Sequence, residues 1–320
     1  MPKVSIIILT YNARSTLGTI LDESIKSALE QDYANIEVLI VDNGSFDDTV
    51  EYVKKRFGDR VKIIKHGKNY GYCLGNDLAL RYVDRNSKYL LFMNPDVILA
   101  RDYVKKLITI AEKDPKIVAL QGLETQPQRQ HKRLGGSLNI AGFSLDLIPR
   151  EDKSNLSCLE SLFVFGAAML VRRRVFEAVG GFSPDFFLYF DEADLGLRLR
   201  SLGLRIVGCK ITSYKHYVSG TVSKIKETSI TAYYFATKNR LRVIFRYFHF
   251  KYLLLALFIN AIIIIYHIIK KPPMLRRVLM KALFKILKPS NLRKDLMIRK
   301  TYIRNIKKSK ILERFVVLRI

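Results

Sequence analysis

The strongest constraint on this chain is a repeated alternation in its first hundred residues. Short apolar runs rich in β-branched residues are each followed by a segment with helical spacing. Residues 4–9 (VSIIIL) suit a strand covered on both faces, and Leu17, Ile20, Leu21, Ile25, Ala28 and Leu29 then recur at helical intervals. A second strand is expected over 36–41, a helix over 49–57, a third strand over 61–65, a helix over 74–82 and a fourth strand over 89–93. Strand and helix alternating through short connections require a mostly parallel α/β sheet flanked by helices.

Such sheets bind ligands beyond the carboxyl ends of their strands. Here those ends read Thr10-Tyr11-Asn12, Asp42-Asn43-Gly44, Asn69-Tyr70-Gly71 and Asn94-Pro95-Asp96. No GxGxxG follows the first strand, and HGKNYG lacks the Lys-Ser/Thr pair of a phosphate loop, which excludes a dinucleotide dehydrogenase and a nucleotide hydrolase. Further on, 126–153 reads as loops forming a lid. An apolar strand is expected over 162–171, then a helix from 172 to 179 ended by Gly180-Gly181. Asp191-Glu192-Ala193-Asp194 precedes a helical segment, where acids stabilise a helix N-terminus, and Asp194 is assigned that structural role.

Three widely spaced cysteines, Cys73, Cys158 and Cys209, read as buried thiols in a reducing compartment. The N-terminus enters the strand pattern at once, its apolar run too short for a signal peptide, so a cytoplasmic protein is expected.

The formal charge is +26, and the segment from Lys270 onward holds 17 basic residues against Asp295 and Glu313. Before it, residues 252–269 (YLLLALFINAIIIIYHII) are almost wholly apolar. At about 1.5 Å per residue that stretch is marginal for a core of roughly 30 Å, and positive charge flanks it on both sides. Leu275, Val278, Leu279, Ala282, Leu283 and Ile286 form one stripe beside Arg276, Arg277, Lys281 and Lys285, the pattern of a basic helix lying on an anionic leaflet. The reading is monotopic attachment; a core helix and a single span are the alternatives. A basic protein binding nucleic acid through its tail is the competing class, disfavoured by the apolar run.

Taken in order, VSIIILTYN, IEVLIVDNGSFDDT, NYGYCLGND, LLFMNPDVIL, VFGAAMLVRRRVFEAVGGF, FFLYFDEADLGLRLRSLG, HYVSGT and KNRL resemble the family 2 glycosyltransferases, within them the rhamnosyltransferase-like branch, over roughly residues 3 to 245. The resemblance implies a GT-A-type fold over 1–245, a Rossmann-like nucleotide half fused to an acceptor half, followed by a helical, membrane-associated extension over 246–320. It implies inverting transfer of a hexose or deoxyhexose from a nucleotide diphosphate sugar to a hydroxyl of a glycan or lipid-linked acceptor. Attachment to the inner face of the cell membrane fits such an acceptor; a catalytically inactive relative acting as a binding protein is the alternative.

By position in the family's motifs, Thr10, Tyr11, Asn12, Asp42, Asn69, Gly71, Asn76 and Asn94 would face the donor nucleotide. Asp96 and His216 would hold a divalent Mg2+ or Mn2+, and Lys238 and Arg240 would touch phosphate. Glu192 falls on the catalytic base, with Asp191 as its rival. Asp42 before Asn-Gly-Ser also has a plain reading as a turn former.

Overall fold

The computed structural model describes residues 1–149, 157–217 and 226–317, and the side chains of 226–229 are left aside. Its main sheet has ten strands. From one edge the order is Cys158–Glu160, Arg205–His216, Ile117–Gln126, Ala168–Arg172, Ser87–Met93, Lys3–Thr10, Ile36–Asp42 and Lys62–Lys65. Val97–Leu99 pairs with Arg205–His216, and His131–Arg133 with Ile117–Gln126. The half built from the first four sequence-predicted strands is parallel throughout, with Ile8 opposite both Ile40 and Met93, and Thr10 opposite Asp42. Its strand ends therefore line up in one row. The antiparallel strand Ala168–Arg172 joins this half to the parallel pair Ile117–Gln126 and Arg205–His216.

Alternate side chains feed two cores, one on each face of the sheet. Ile7, Leu39, Leu90 and Phe92 enter one, and Ile6, Ile8, Ile40 and Leu91 the other. That division is why these strands read as continuous apolar runs. The helices Gly71–Ala79, Arg173–Ala178, Asp191–Ser201 and Lys226–Tyr247 all contribute to the first core.

Several expectations are corrected. The segment 126–149 is not a run of loops: beyond His131–Arg133 it forms Gly136–Asn139 and Ser144–Asp146, which make a three-stranded sheet with Val316–Val317. Residues 150–153 of the expected lid lie outside the described residues. The strand expected over 162–171 is confined to Ala168–Arg172. The acidic cluster does not precede a helix but forms its first turn, in Asp191–Ser201.

Nor are there three free thiols, so the cysteines no longer support the reducing compartment expected from them. Cys158 and Cys209 are direct cross-strand partners, with Cα atoms 4.0 Å apart, and form a disulfide; Cys73 is free and buried. A separation of 51 residues hid the pairing from spacing arguments.

The basic extension packs on the sheet domain. Helix Lys226–Tyr247 carries the chain across residue 245, and the helices Phe250–Lys270, Pro273–Leu287, Pro289–Lys308 and Ile311–Phe315 follow. Arg246, wholly buried, donates to Asp194 at 2.8 Å, to Asp185 at 2.7 Å and to Asp295 at 2.7 Å, and Arg242 bonds both Asp185 and Asp295. Burial works against the Asp194 charge, but Arg198 and Arg246 outweigh it and hold the carboxyl below its usual range. Asp194 is thus structural, as a buried ion-pair anchor more than as a helix-end charge.

Helix Phe250–Lys270 is long and apolar enough to cross a membrane by length and composition, with a mean hydropathy of 2.4 in its most apolar window. Ala256, Ile259 and Asn260 are buried against the domain, whereas Phe250, Leu254, Phe258, Ile262, Ile265 and Ile269 are exposed. In the next helix the expected leaflet-facing stripe turns inward instead. Leu279 and Ala282 are buried and Leu283 and Ile286 pack on the core, because this helix lies along Lys226–Tyr247. Met274, Met280, Phe284 and Leu287, outside the stripe, are the exposed apolar residues.

Candidate functional site

The row of strand ends is closed by loops that bond to one another. The Asn12 amide donates to Ser45 Oγ at 2.8 Å, and Asn12 Oδ1 accepts the Phe46 amide at 2.8 Å. Asn12 sits in the left-handed region at φ 49°, a conformation Asn tolerates better than most residues. Asp42 is buried and accepts the Ser45 amide at 3.1 Å and the Ser45 hydroxyl, so its turn-forming role is realised. Thr10 is buried beside it, its hydroxyl on the Val41 carbonyl at 3.3 Å. Tyr11 packs edge-on against Phe46, which is 88% exposed, so two aromatic rings stand at this rim.

Asn69 and Asn43 lock the next loop. Asn43 donates to Asn69 Oδ1 at 3.0 Å, and Asn69 Oδ1 also accepts the Gly71 amide at 2.8 Å. Gly71 is required here: its φ is +76°, and a Cβ would lie 2.4 Å from the Phe187 carbonyl oxygen. Asn76 is buried, with Nδ2 on the Tyr72 carbonyl, while its Oδ1 has no hydrogen-bond partner among the described residues.

Asp96 and His216 come together. His216 Nε2 lies 3.4 Å from Asp96 Oδ1, and on the other edge of the ring Nδ1 lies 2.9 Å from Glu124 Oε1. Glu124 is fully buried and held by Arg133, Tyr214 and Gln126. Burial alone would raise its pKa, but the bonds from His216 and Arg133 keep it well below the usual carboxylate range. Burial also disfavours a charged His216, yet Asp96 and Glu124 lift its pKa to about 9. The rest of the HYVSGT motif, from residue 218, lies outside the described residues.

These donors fit a divalent cation provided that His216 releases the proton which its two carboxylate neighbours favour, since only a neutral imidazole coordinates a metal. A carboxylate faces an imidazole nitrogen whose opposite nitrogen is fixed by a second carboxylate, the usual support for a metal-binding histidine. Among the described residues no group of three or more His, Cys, Asp or Glu side chains forms a metal cage, so phosphate and water would complete the coordination.

The acidic pair is attached to the same row by two consecutive residues. The Gly166 amide donates to Glu192 Oε1 at 3.1 Å, and the Ala167 carbonyl accepts the Asn94 amide at 2.9 Å. The Tyr72 hydroxyl donates to the Gly166 carbonyl at 2.8 Å and braces this link. The turn into the pair is strained: Tyr189 and Phe190 both lie at positive φ, 66° and 65°, and Asn239 holds the turn by donating to the carbonyls of Leu188 and Tyr189. Asp191 is 3% exposed, and burial first, then the adjacent Glu192 charge, push its pKa well up. Glu192 is only half-buried. The two carboxyls are therefore unequal: an enclosed Asp191 with a raised pKa beside a more exposed Glu192.

Lys238 and Arg240 do not join this row. Arg240 donates to the Ala141 carbonyl at 2.8 Å and to Asn260 at 2.6 Å, and stacks on Phe143, so its guanidinium ties the domain to helix Phe250–Lys270. Lys238 reaches the Asp185 carbonyl at 3.3 Å, beside the rings of Tyr234 and Phe235. Sequence reasoning missed Glu124, Asn43, Tyr72 and Asn239. Glu124 stands near the end of an apolar strand where no motif marks it, while Asn43 lies inside the DNG segment and Asn239 inside KNRL.

Residues 5–180 match the sequence profile described as glycosyl transferase family 2. The chain is 25% identical over 221 residues to the low-salt glycan biosynthesis hexosyltransferase Agl10 of Haloferax volcanii, covering 67% of this chain and 66% of that protein. It is 26% identical over 228 residues to the N-acetylglucosaminyl-diphospho-decaprenol L-rhamnosyltransferase of Mycobacterium tuberculosis, covering 63% and 73%. In fold it is similar to the mannosyltransferase PcManGT of Pyrobaculum calidifontis, solved with GDP-Man and Mn2+, with a TM-score of 0.56 and 16% identity over 97% of this chain and 86% of that one. The architecture is a GT-A fold.

Proposed function

Because the chain belongs to the family 2 glycosyltransferases, we propose that it is an inverting enzyme that moves a hexose or deoxyhexose from a nucleotide diphosphate sugar to a hydroxyl of a lipid-linked or surface-glycan precursor. The observation that carries this reading is the coupling through Gly166 and Ala167, which fastens an accessible carboxylate to the donor-facing strand end at Asn94.

The chemistry follows from the unequal pair. Glu192 accepts the proton of the acceptor hydroxyl as that oxygen attacks the anomeric carbon. The bond from that carbon to the diphosphate oxygen breaks, and the nucleoside diphosphate leaves with the electron pair. A single displacement of this kind inverts the anomeric centre. Burial and the adjacent Glu192 raise the Asp191 pKa, which makes Asp191 the weaker candidate for an ionised base. Thr10, Tyr11, Asn12, Asp42, Asn69, Gly71, Asn76 and Asn94 shape the donor side, with Asn76 Oδ1 free to accept a ligand hydrogen bond. Asp96 and His216 are the residues that would hold Mg2+ or Mn2+, which supplies neutralisation of the charge on the leaving diphosphate.

The lipid-linked acceptor and a place at the cytoplasmic membrane face are supported by the exposed apolar side of helix Phe250–Lys270 and the basic helices after it, a surface matched to an anionic leaflet rather than to nucleic acid. The mycobacterial relative's name, with a sugar on diphospho-decaprenol, points the same way.

The test is release of nucleoside diphosphate from a panel of UDP-, dTDP- and GDP-sugars, with Mn2+ or Mg2+ and with or without a lipid extract. Release from one donor that vanishes in Asp96→Ala and Glu192→Ala is expected. No release, with no nucleotide binding by calorimetry, overturns the reading.

A further inference from the structure

Helices Lys226–Tyr247 and Pro273–Leu287 leave between them an open pocket of about 640 Å³, lined by Tyr234, Lys281, Phe284, Lys285, Leu287 and Lys288. Its lining is apolar at Phe284 and Leu287, both well exposed, and cationic at Lys281, Lys285 and Lys288. Among the described residues none of the three lysines has an acidic partner, whereas Lys294 nearby is paired with Asp185 at 3.3 Å. Charge of one sign beside an apolar lining selects an anionic amphiphile.

The pocket is also connected to the reacting groups. Lys238 Nζ lies 5.6 Å from the Tyr234 ring centre and 4.8 Å from that of Phe235, and Phe235 stacks on Phe187 with centroids 5.0 Å apart. Phe187 abuts Gly71, accepts the Tyr72 amide and begins the strained turn into Asp191 and Glu192. Burial first, then the like charge of Arg242, push Lys238 down to about 8, with Asp185 opposing and Lys285 adding to the shift.

We propose that this pocket holds the diphosphate and first isoprene units of a lipid-linked acceptor. Lys281, Lys285 and Lys288 take the phosphates, and Tyr234, Phe284 and Leu287 take the chain. The assignment rests on the glycosyltransferase reading above. A free glycan has no use for the apolar lining, and a bulk leaflet needs no path of stacked rings to the acidic pair.

The test titrates the full chain with farnesyl diphosphate, in EDTA and without nucleotide, beside farnesol and inorganic pyrophosphate. Flotation with phosphatidylglycerol vesicles is measured separately. Farnesyl diphosphate is expected to bind more tightly than either fragment. Lys281→Gln with Lys285→Gln is expected to weaken it by about tenfold or more, the loss of charge-assisted bonds, while nucleoside diphosphate binding with Mn2+ is unchanged. Phe284→Ala is expected to weaken farnesyl diphosphate and leave pyrophosphate unmoved. Unchanged affinity in the lysine variant overturns the proposal. So does loss in Asp96→Asn instead, which puts the ligand in the donor site, or loss of vesicle flotation alone, which makes the lysines a leaflet contact. Lysine-dependent binding in a protein that turns over no nucleotide sugar would sink the transferase reading and leave the pocket standing.

Discussion

Arg246 and Asp295 meet at 2.7 Å with both side chains wholly removed from solvent, although 49 residues separate them. Asp295 also receives Arg242, so this carboxylate on the extension shares with Asp185 and Asp194 the neutralisation of two guanidinium groups on helix Lys226–Tyr247. Removing one member of a buried ion network leaves charge uncompensated and costs about 3–5 kcal/mol. Asp295→Ala is therefore expected to lower the midpoint of urea unfolding sharply. A variant that unfolds like the parent would show the extension to be a passenger.

The acidic pair predicts opposite outcomes for two conservative changes. Glu192→Gln removes the proposed base and is expected to lower turnover by about 100-fold or more at unchanged donor affinity. Asp191→Asn puts an amide of the same shape in an enclosed place that disfavours a charge and is expected to keep most activity. Single-turnover rates for the two variants decide it, and the reverse pattern moves the base to Asp191.

In the proposed reading Glu124 would support a bound metal through His216, whose Nδ1 it holds at 2.9 Å. Glu124→Gln is expected to raise the Mn2+ concentration for half-maximal turnover by about 10- to 100-fold, as loss of such support does elsewhere, with saturating metal restoring most of the rate. A merely structural Glu124 would lower the rate at every metal concentration alike.

What the sequence disclosed follows from the range of each interaction. The parallel half was legible because strands buried on both faces must be apolar throughout, and their polar ends then mark the row proposed for the donor at Thr10, Asp42 and Asn94. Partners made by tertiary register were not legible. Cys158 finds Cys209 only through antiparallel pairing, and Glu124 finds His216 only because two parallel strands are adjacent. The inward turn of Leu279 and Ala282 was hidden for a related reason: an amphipathic stripe has the same spacing whether it meets lipid or protein.

Asp77 provides a pH test of the fold beneath the site. It lies in helix Gly71–Ala79 and accepts the Phe182 amide at 3.3 Å, and burial, opposed by that bond and by Arg198, lifts its pKa to about 7. A carboxyl whose folded pKa exceeds its unfolded value gives stability that is complete below the unfolded pKa and is lost as pH rises through the folded one. At about 1.4 kcal/mol per unit, a rise from 3.8 to about 7 makes that loss at most on the order of 4 kcal/mol. The melting temperature is therefore expected to fall between about pH 4 and pH 7, and Asp77→Asn, which cannot ionise, to fall less over the same range. Asp191, raised in the same direction, contributes to both proteins equally, so the difference between the two curves isolates Asp77. Parallel curves would show that Asp77 carries its charge in the folded protein across the whole range.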